Sequence, residues 1–135
     1  MAGYSGTALW KKLGYKHGTI AYVEGAPEAY SKMLTLPAEV AVVWARQLRG
    51  RPSFVHFFTS SKSALENKLR AFRKAIDPDG QIWVSWPKKS SGVPTDLTED
   101  TIRDAAIPLG LVDIKVCAVD DVWSGLKLVI RKQLR

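Results

Sequence analysis

A dibasic, hydroxyl-rich loop is the part of this sequence best suited to binding chemistry. Lys88 and Lys89 are followed by Ser90, Ser91 and Gly92, which adds two hydroxyls and a flexible backbone to two cations. Ammonium and hydroxyl groups donate hydrogen bonds to phosphate and carboxylate oxygens. The loop therefore predicts a site for an anionic or nucleotide-like ligand. A solvated basic loop and a loop that contacts a protein partner are the alternatives.

This loop lies between an apolar strand and the start of a helix. The run from Ile82 to Trp86 has the composition of a strand. Thr98 has the position of a helix N-cap, followed by Glu99 and Asp100 in the first turn. The dipole of such a helix N-terminus favours a nearby anion. Trp86 is a candidate wall of the pocket, although packing in the core is the commoner role for such a residue.

The ends of the other predicted strands supply further candidate residues. In an open parallel sheet, ligands bind outside the carboxyl ends of the strands, near the point where the strand order reverses. The rule adds Glu24 and Gly25 after strand one, Ser60 after the third strand, Thr95 and Asp96 after the fourth, and Asp120, Trp123 and Ser124 after the fifth.

Each of these candidates also has an ordinary structural role. Carboxylates such as Asp96 and Asp120 can act as general bases, but loop aspartates more often bond their own backbone to form turns. Trp123 can stack on a planar ligand, whereas packing is its commoner role.

No motif in the sequence names a reaction. His56 lies in a predicted strand, where a hydrogen-bonded core histidine is expected, and no second ligand stands at metal spacing from it or from His17. We therefore predict no metal site. Cys117 lies in mid-strand, and we expect an inert buried thiol. The sequence contains no nucleophile elbow and no phosphate-binding P-loop.

The charge favours anionic partners. The formal net charge is +7 and the sequence pI is about 9.7. Lysines and arginines are spread along the whole chain and never form a run of five. A solvated basic surface is therefore the leading interpretation of the charge, and nucleic-acid binding is an alternative.

The length of the sequence and the lack of a targeting signal predict one cytoplasmic domain over residues 1–135. The single cysteine excludes an intramolecular disulfide, and residues 1–6 contain no apolar signal core. No apolar run approaches the roughly 20 residues that span a bilayer, so we expect no integral membrane protein.

The periodicity predicts strands that alternate with helices. Strands are predicted at 19–23, 40–44, 54–58, 82–86, 112–119 and 126–130, with helices at 7–14, from Pro27, at 63–76 and at 98–110. The run 40–44 is predicted as a buried strand. The third helix has Leu65, Leu69, Phe72 and Ile76 on one stripe, and its Ser63 and Glu66 have capping-box spacing.

Such alternation implies right-handed crossovers and a mostly parallel sheet covered on both faces. The last two strands are joined by a loop short enough for an antiparallel hairpin. We therefore predict a three-layer, Rossmann-like α/β domain with a C-terminal antiparallel hairpin strand.

This arrangement resembles the class I methyltransferases that use S-adenosylmethionine. The stretch 13–23 is similar to the entry into their first strand, and 64–82 is similar to their penultimate helix and the turn that follows it. The resemblance implies a reduced methyltransferase-like topology that lacks one strand–helix unit.

The chain departs from that superfamily at the cofactor positions. A glycine-rich turn after strand one lets the backbone approach the cofactor. Here Gly25 is the single glycine of that turn, and Pro27 removes an amide donor. Trp44 and Ala45 stand where an acidic residue would hold the ribose. We therefore predict no cofactor, with S-adenosylmethionine as the alternative.

A second resemblance covers almost the whole chain. The stretches 1–7, 86–92, 95–100 and 120–127 look like the signature stretches of a bacterial family, the domain of unknown function 3052 family. The resemblance implies a small methyltransferase-like fold and carries over no activity, substrate or catalytic residue.

Three hypotheses for function follow. The first is a small protein that binds an anionic or nucleotide-like ligand at the carboxyl ends of its strands without methyl transfer. The second is an S-adenosylmethionine-dependent methyltransferase with an atypical cofactor site. The third is a nucleic-acid-binding protein.

Overall fold

The computed structural model describes residues 6–135 as a six-stranded mixed sheet with helices on both faces. The elements in chain order are α1 (Leu9–Leu13), β1 (Ile20–Glu24), α2 (Tyr30–Leu34), β2 (Val43–Ala45), β3 (Phe54–Phe58), α3 (Lys62–Ala75), β4 (Gln81–Pro87), α4 (Glu99–Ala106), β5 (Leu111–Ala118) and β6 (Trp123–Ile130). Short 3-10 helices lie at Lys89–Ser91, Ile107–Leu109 and Lys132–Leu134. Residues 1–5, which contribute to the second resemblance, lie outside the described part of the chain.

The strand order is β2-β1-β3-β4-β6-β5. The first four strands in this order are parallel, whereas β6 is antiparallel to both β4 and β5. The chain passes outward from β1 to β2 and then returns to β3, so the strand order reverses between β1 and β3. This topology confirms the predicted three-layer α/β architecture with a C-terminal antiparallel hairpin.

Each face of the sheet carries its own apolar core. On one face, α3 and α4 pack their buried residues Leu65, Leu69, Phe72 and Ile102 against the sheet. On the other face, α1 and α2 contribute Leu9, Leu13, Tyr30 and Leu34. Because strand side chains alternate between faces, the fully covered strand β3 contributes to both cores. The predicted stripe of α3 is confirmed.

The prediction of a buried strand at 40–44 is wrong. Strand β2 is only three residues long, and Val43 and Trp44 are 58% and 46% exposed. It lies at the edge of the sheet with β1 as its single partner, so much of its surface remains uncovered. An apolar run alone does not distinguish an edge strand from a central one.

Two predicted helix starts are also wrong. The second helix begins at Tyr30 rather than at Pro27, whose carbonyl accepts a bond from the Tyr30 amide in the preceding turn. The N-cap of α3 is Ser61, whose hydroxyl accepts from the Ala64 amide at 3.2 Å, and not Ser63. The predicted N-cap of α4 at Thr98 is confirmed, with Thr101 completing a capping box.

The helix predicted to reach Gly110 ends its α-helical part at Ala106. Pro108 then lies in the 3-10 helix Ile107–Leu109, and Gly110 closes it with a left-handed backbone. None of the helices in the described residues is long and apolar enough to cross a membrane.

Candidate functional site

A surface groove of about 440 Å³ lies beyond the carboxyl end of β4. Its base is apolar because Trp86, Pro87 and Leu97 are buried there. Six further residues complete the lining: Lys88, Lys89, Thr95, Thr98, Glu99 and Ser124. The structure thus brings together Trp86, both lysines, Thr95 and Ser124 among the sequence-predicted site residues.

The two lysines give this groove its positive character. Within residues 6–135, no ion pair joins Lys88 or Lys89 to a carboxylate. Glu99 carries the negative charge of the lining, but its carboxylate is bonded to the Arg103 guanidinium one turn along α4. The ammonium groups therefore remain available to an external anion.

The hydroxyls of the groove differ in how far they are already used. Thr95 donates to the Ser60 carbonyl at 2.7 Å and accepts from the Leu97 amide, so it fixes the loop. Thr98 accepts the capping bond from the Thr101 amide. The half-buried Ser124 hydroxyl has no hydrogen-bond partner within the described residues, so it is the hydroxyl best able to contact a ligand.

The predicted Ser90, Ser91 and Gly92 shape the loop instead of lining the groove. Residues Lys89–Ser91 form a 3-10 turn, which Gly92 ends with φ of 74°. The Ser91 hydroxyl donates to the Lys88 carbonyl at 2.6 Å and accepts from the Val93 amide. Ser90 is exposed on this turn. The loop is therefore a folded turn and not a flexible anion cradle.

Asp96 and Ser60 fasten the same loop to the start of α3. Asp96 accepts a 2.7 Å bond from the Lys62 amide, the first amide of that helix. The Ser60 carbonyl accepts from Thr95, as described, and from the Asp96 amide. The Asp96 carboxylate thus has a structural role, as loop aspartates commonly do.

Asp120 and Trp123 also have structural roles. The Asp120 carboxylate accepts from the Val122 and Trp123 amides at 2.9 and 2.7 Å, which forms a side-chain turn. Trp123 begins β6 and packs edge-on against Phe58 with ring centroids 5.2 Å apart. This contact agrees with packing, the commoner role expected of Trp123 from the sequence, and Trp123 lies in a strand instead of the predicted loop.

The turn after β1 does not line the groove. The Glu24 carboxylate accepts a 2.7 Å bond from the Tyr22 hydroxyl and pairs with Lys68 of α3 at 3.1 Å. The hydrogen bond to Glu24, with burial and the carboxylate charge, raises the pKa of Tyr22 to about 12. Glu24 is therefore engaged within the protein.

Gly25 is packed against the neighbouring strand. Its φ is 77°, and a Cβ built on it would collide with the Phe58 carbonyl oxygen of β3. The missing Cβ therefore allows a close approach of two protein backbones. This turn lies at the reversal of strand order, the position where the fold would place a nucleotide-type cofactor.

These observations test the fit of S-adenosylmethionine, the cofactor that the first resemblance implies. At the reversal point, Gly25 is used against Phe58, Glu24 is used by Tyr22 and Lys68, and Pro27 offers no amide. At the end of β2, Ala45 is followed by the cation Arg46 instead of a carboxylate. The described residues do not fit the usual grip on this cofactor.

The structure contains a network of four buried polar side chains. From the sequence, only the hydrogen-bonded state of His56 is predicted. Tyr15 and Tyr30 share a 2.7 Å hydrogen bond, and His56 bonds Tyr30 and Ser85 at 2.8 Å each. All four side chains are buried, so a ligand in solvent cannot reach this network. Within the sequence, the signal for this network is the placement of His56 and Ser85 within apolar strands.

Two remaining predictions concern metals and Cys117. Within residues 6–135, no three His, Cys, Asp or Glu side chains gather as metal ligands. Cys117 is partly buried, and burial raises the pKa of its thiol.

No protein-family model and no curated protein matches this chain in sequence. Solved structures match it in fold. The neocarzinostatin-biosynthesis O-methyltransferase NcsB1, in complex with S-adenosylmethionine and 2-hydroxy-5-methyl naphthoic acid, is 12% identical with a TM-score of 0.65, over 94% of this chain and 53% of that one.

Two bacterial structures are similar over more of their own length. Precorrin-6y C5,15-methyltransferase from Geobacter metallireducens is 11% identical with a TM-score of 0.58, over 90% of this chain and 85% of that one. Magnesium protoporphyrin IX methyltransferase (ChlM) from Synechocystis PCC 6803, with bound S-adenosylhomocysteine, is 12% identical with a TM-score of 0.57, over 90% and 78%. The fold is therefore that of the class I methyltransferases.

Proposed function

We propose that this protein binds a small anionic, phosphate- or carboxylate-bearing ligand of nucleotide-like size in the groove beyond β4, without methyl transfer. One observation carries the proposal. Lys88 and Lys89 face a groove in which Glu99 is already paired with Arg103, so both cations lack a protein counter-ion within the described residues.

The base and the edges of the groove support the same conclusion. Trp86 and Leu97 provide an apolar floor of the kind that small-molecule sites use, and Ser124 adds a hydroxyl that has no hydrogen-bond partner among residues 6–135. The loop is held in place from both sides, because the Lys88 amide donates to the Val122 carbonyl at 2.7 Å and Asp96 binds the start of α3. A fixed loop lowers the ordering cost of binding.

Titration calorimetry against nucleotides and phosphorylated metabolites tests the proposal. The wild type, Lys88→Gln, Lys89→Gln and the double variant are compared with Lys74→Gln, which removes the same charge from an exposed site on α3. We expect the double variant to weaken binding by roughly tenfold or more, on the order of two charge-assisted hydrogen bonds. Binding that is absent, or equal in the double variant and in Lys74→Gln, would overturn the proposal.

The second candidate function is an S-adenosylmethionine-dependent methyltransferase with an atypical cofactor site. The comparisons support it more directly than they support anion binding, because the similar structures are methyltransferases and some hold S-adenosylmethionine or S-adenosylhomocysteine. The turn at Glu24 and Gly25 opposes it.

Calorimetry with S-adenosylhomocysteine distinguishes the two candidates. Binding at micromolar concentration that survives the Lys88→Gln, Lys89→Gln double substitution would favour the methyltransferase. The absence of binding at millimolar concentration would exclude it in practice. Membership of the domain of unknown function 3052 family and a cytoplasmic location stay predictions.

A further inference from the structure

Two lysines stand directly opposite one another on the terminal hairpin. Lys115 of β5 and Lys127 of β6 are register partners in the antiparallel pair, so their side chains leave the same face of the sheet. This face is the one covered by α1 and α2, because Lys127 alternates with Leu126 and Leu128 of the opposite core. The groove described above lies on the other face, because its residues Trp86 and Leu97 belong to the core formed by α3 and α4.

A third lysine reaches the same hairpin from α1. The Lys12 ammonium donates to the Ala118 carbonyl at 3.0 Å, and the Lys115 ammonium donates to the Lys12 carbonyl at 3.0 Å. Burial raises the pKa of the Cys117 thiol, and the charges of Lys12 and Lys115 partly oppose this rise, so both cations lie close to that side chain. We call Lys12, Lys115 and Lys127 the lysine triad.

The triad has no carboxylate counter-ion within residues 6–135. The carboxylate of the same strand, Asp113, faces the opposite core and is bonded to Arg103 at 2.9 Å. Burial lowers the pKa of Lys127, and the charge of Lys115 lowers it further. Like charges directly opposite one another destabilise a strand pair. The repulsion within the triad therefore lowers the stability of the hairpin, and a bound anion would remove this repulsion.

We infer that the lysine triad binds the phosphate groups of an extended polyanion. Two of its three ammonium groups already donate to carbonyls, Lys12 to Ala118 and Lys115 to Lys12, and Lys115 lies opposite Lys127, so the three cations are neighbours on one face of the sheet. A run of linked phosphates carries several adjacent negative charges, so it can neutralise three neighbouring cations more fully than a single carboxylate can. A nucleic-acid backbone and a free polyphosphate are the two sources of this chemistry.

Fluorescence anisotropy with a short single-stranded oligonucleotide, and calorimetry with inorganic triphosphate, test the inference across a series of salt concentrations. The variants are Lys115→Gln with Lys127→Met, where methionine keeps the apolar stem of the lysine. Lys74→Gln with Lys132→Gln removes the same charge from exposed positions. Lys88→Gln with Lys89→Gln tests the separate groove.

With the single-stranded oligonucleotide, we expect the hairpin double variant to reduce the slope of log affinity against log salt by about 1.4, on the order of 0.7 per lost contact, and the Lys74→Gln, Lys132→Gln pair to stay near the wild type. A loss of oligonucleotide binding identifies nucleic acid as the source. A loss of triphosphate binding alone identifies a free polyphosphate. Binding of neither probe, or equal losses in the hairpin and control variants, would overturn the inference.

Thermal unfolding at low salt gives a second readout, which can be measured first without a ligand. Because Lys115 and Lys127 repel one another in the ligand-free hairpin, we expect Lys127→Met to raise the midpoint of thermal unfolding above that of the wild type. We also expect triphosphate to raise the midpoint of the wild type more than that of the variant. A lower midpoint in Lys127→Met without ligand would contradict the repulsion on which the inference rests.

Discussion

His56 Nε2 lies 2.8 Å from the Ser85 hydroxyl oxygen, and both side chains are fully buried where β3 pairs with β4. The other ring nitrogen lies 2.8 Å from the Tyr30 hydroxyl. Burial lowers the pKa of His56 from 6.5 to about 3. The ring is therefore neutral at neutral pH, and each of its nitrogens has a hydrogen-bonding partner.

This burial predicts a specific loss of stability in acid. Because the folded-state pKa lies below 6.5, the unfolded chain binds the proton first as the pH falls. The contribution of His56 is complete above about pH 6.5 and declines towards pH 3, with a limiting slope of about 1.4 kcal/mol per pH unit. Urea unfolding between about pH 6.5 and 4.5 should show a steeper decline in the wild type than in His56→Gln. Equal slopes would show that His56 does not stay neutral in the folded state.

The contact between Asp96 and α3 predicts a role for this carboxylate in stability. Asp96→Ala removes the 2.7 Å bond to the Lys62 amide and a negative charge from the helix N-terminus, which should cost about 1 kcal/mol. Asp104→Ala, at an exposed position near the other end of α4, should have little effect. Denaturant titration measures both changes. Equal free energies of unfolding in the two variants would contradict this role.

The sequence predicts the fold well where the signal is local. The stripe of α3, the Thr98 cap and the continuous apolar run of β3 each lie within one element, and all three are confirmed. The exposure of Trp44 depends on which strands lie beside β2, and no local pattern contains that information.

The residues of the candidate site also differ in whether a local rule predicts their role. Lys88 and Ser124 follow from the rule that ligands bind at strand ends, and the structure places both in one groove. The roles of Glu24 and Gly25 could not be predicted, because their partners Lys68 and Phe58 come from distant elements. Type and position along the chain do not distinguish a side chain used by the fold from one left for a ligand.

Two serines at the start of α3, Ser61 and Ser63, allow a test of which one caps the helix. Ser61 accepts the capping bond from the Ala64 amide, whereas Ser63 is exposed and its hydroxyl lies 3.1 Å from the Ser61 hydroxyl. Ser61→Ala should lower the free energy of unfolding by about 1 kcal/mol, and Ser63→Ala by clearly less. Thermal or denaturant unfolding of the two variants checks the assignment. The reverse order would restore Ser63 as the cap.

Gly25 gives the prediction that bears most directly on function. Gly25→Ala combines the strain of a φ of 77° with a collision against the Phe58 carbonyl oxygen, so we expect a loss of about 3 kcal/mol or more. Gly50→Ala is the matched control, because Gly50 has a φ of 85° with nothing within 4 Å, and strain alone should cost about 1 to 2 kcal/mol. Denaturant unfolding measures both losses.

The difference between these two glycine variants decides whether the turn after β1 is closed. A large difference means that Gly25 stays packed against β3, so its missing Cβ serves this contact between two backbones and not the approach to a cofactor. Equal losses would mean that the turn moves away from Phe58 at little cost. An adenosyl cofactor would then have room at the reversal of strand order, and the methyltransferase would become the better-supported function.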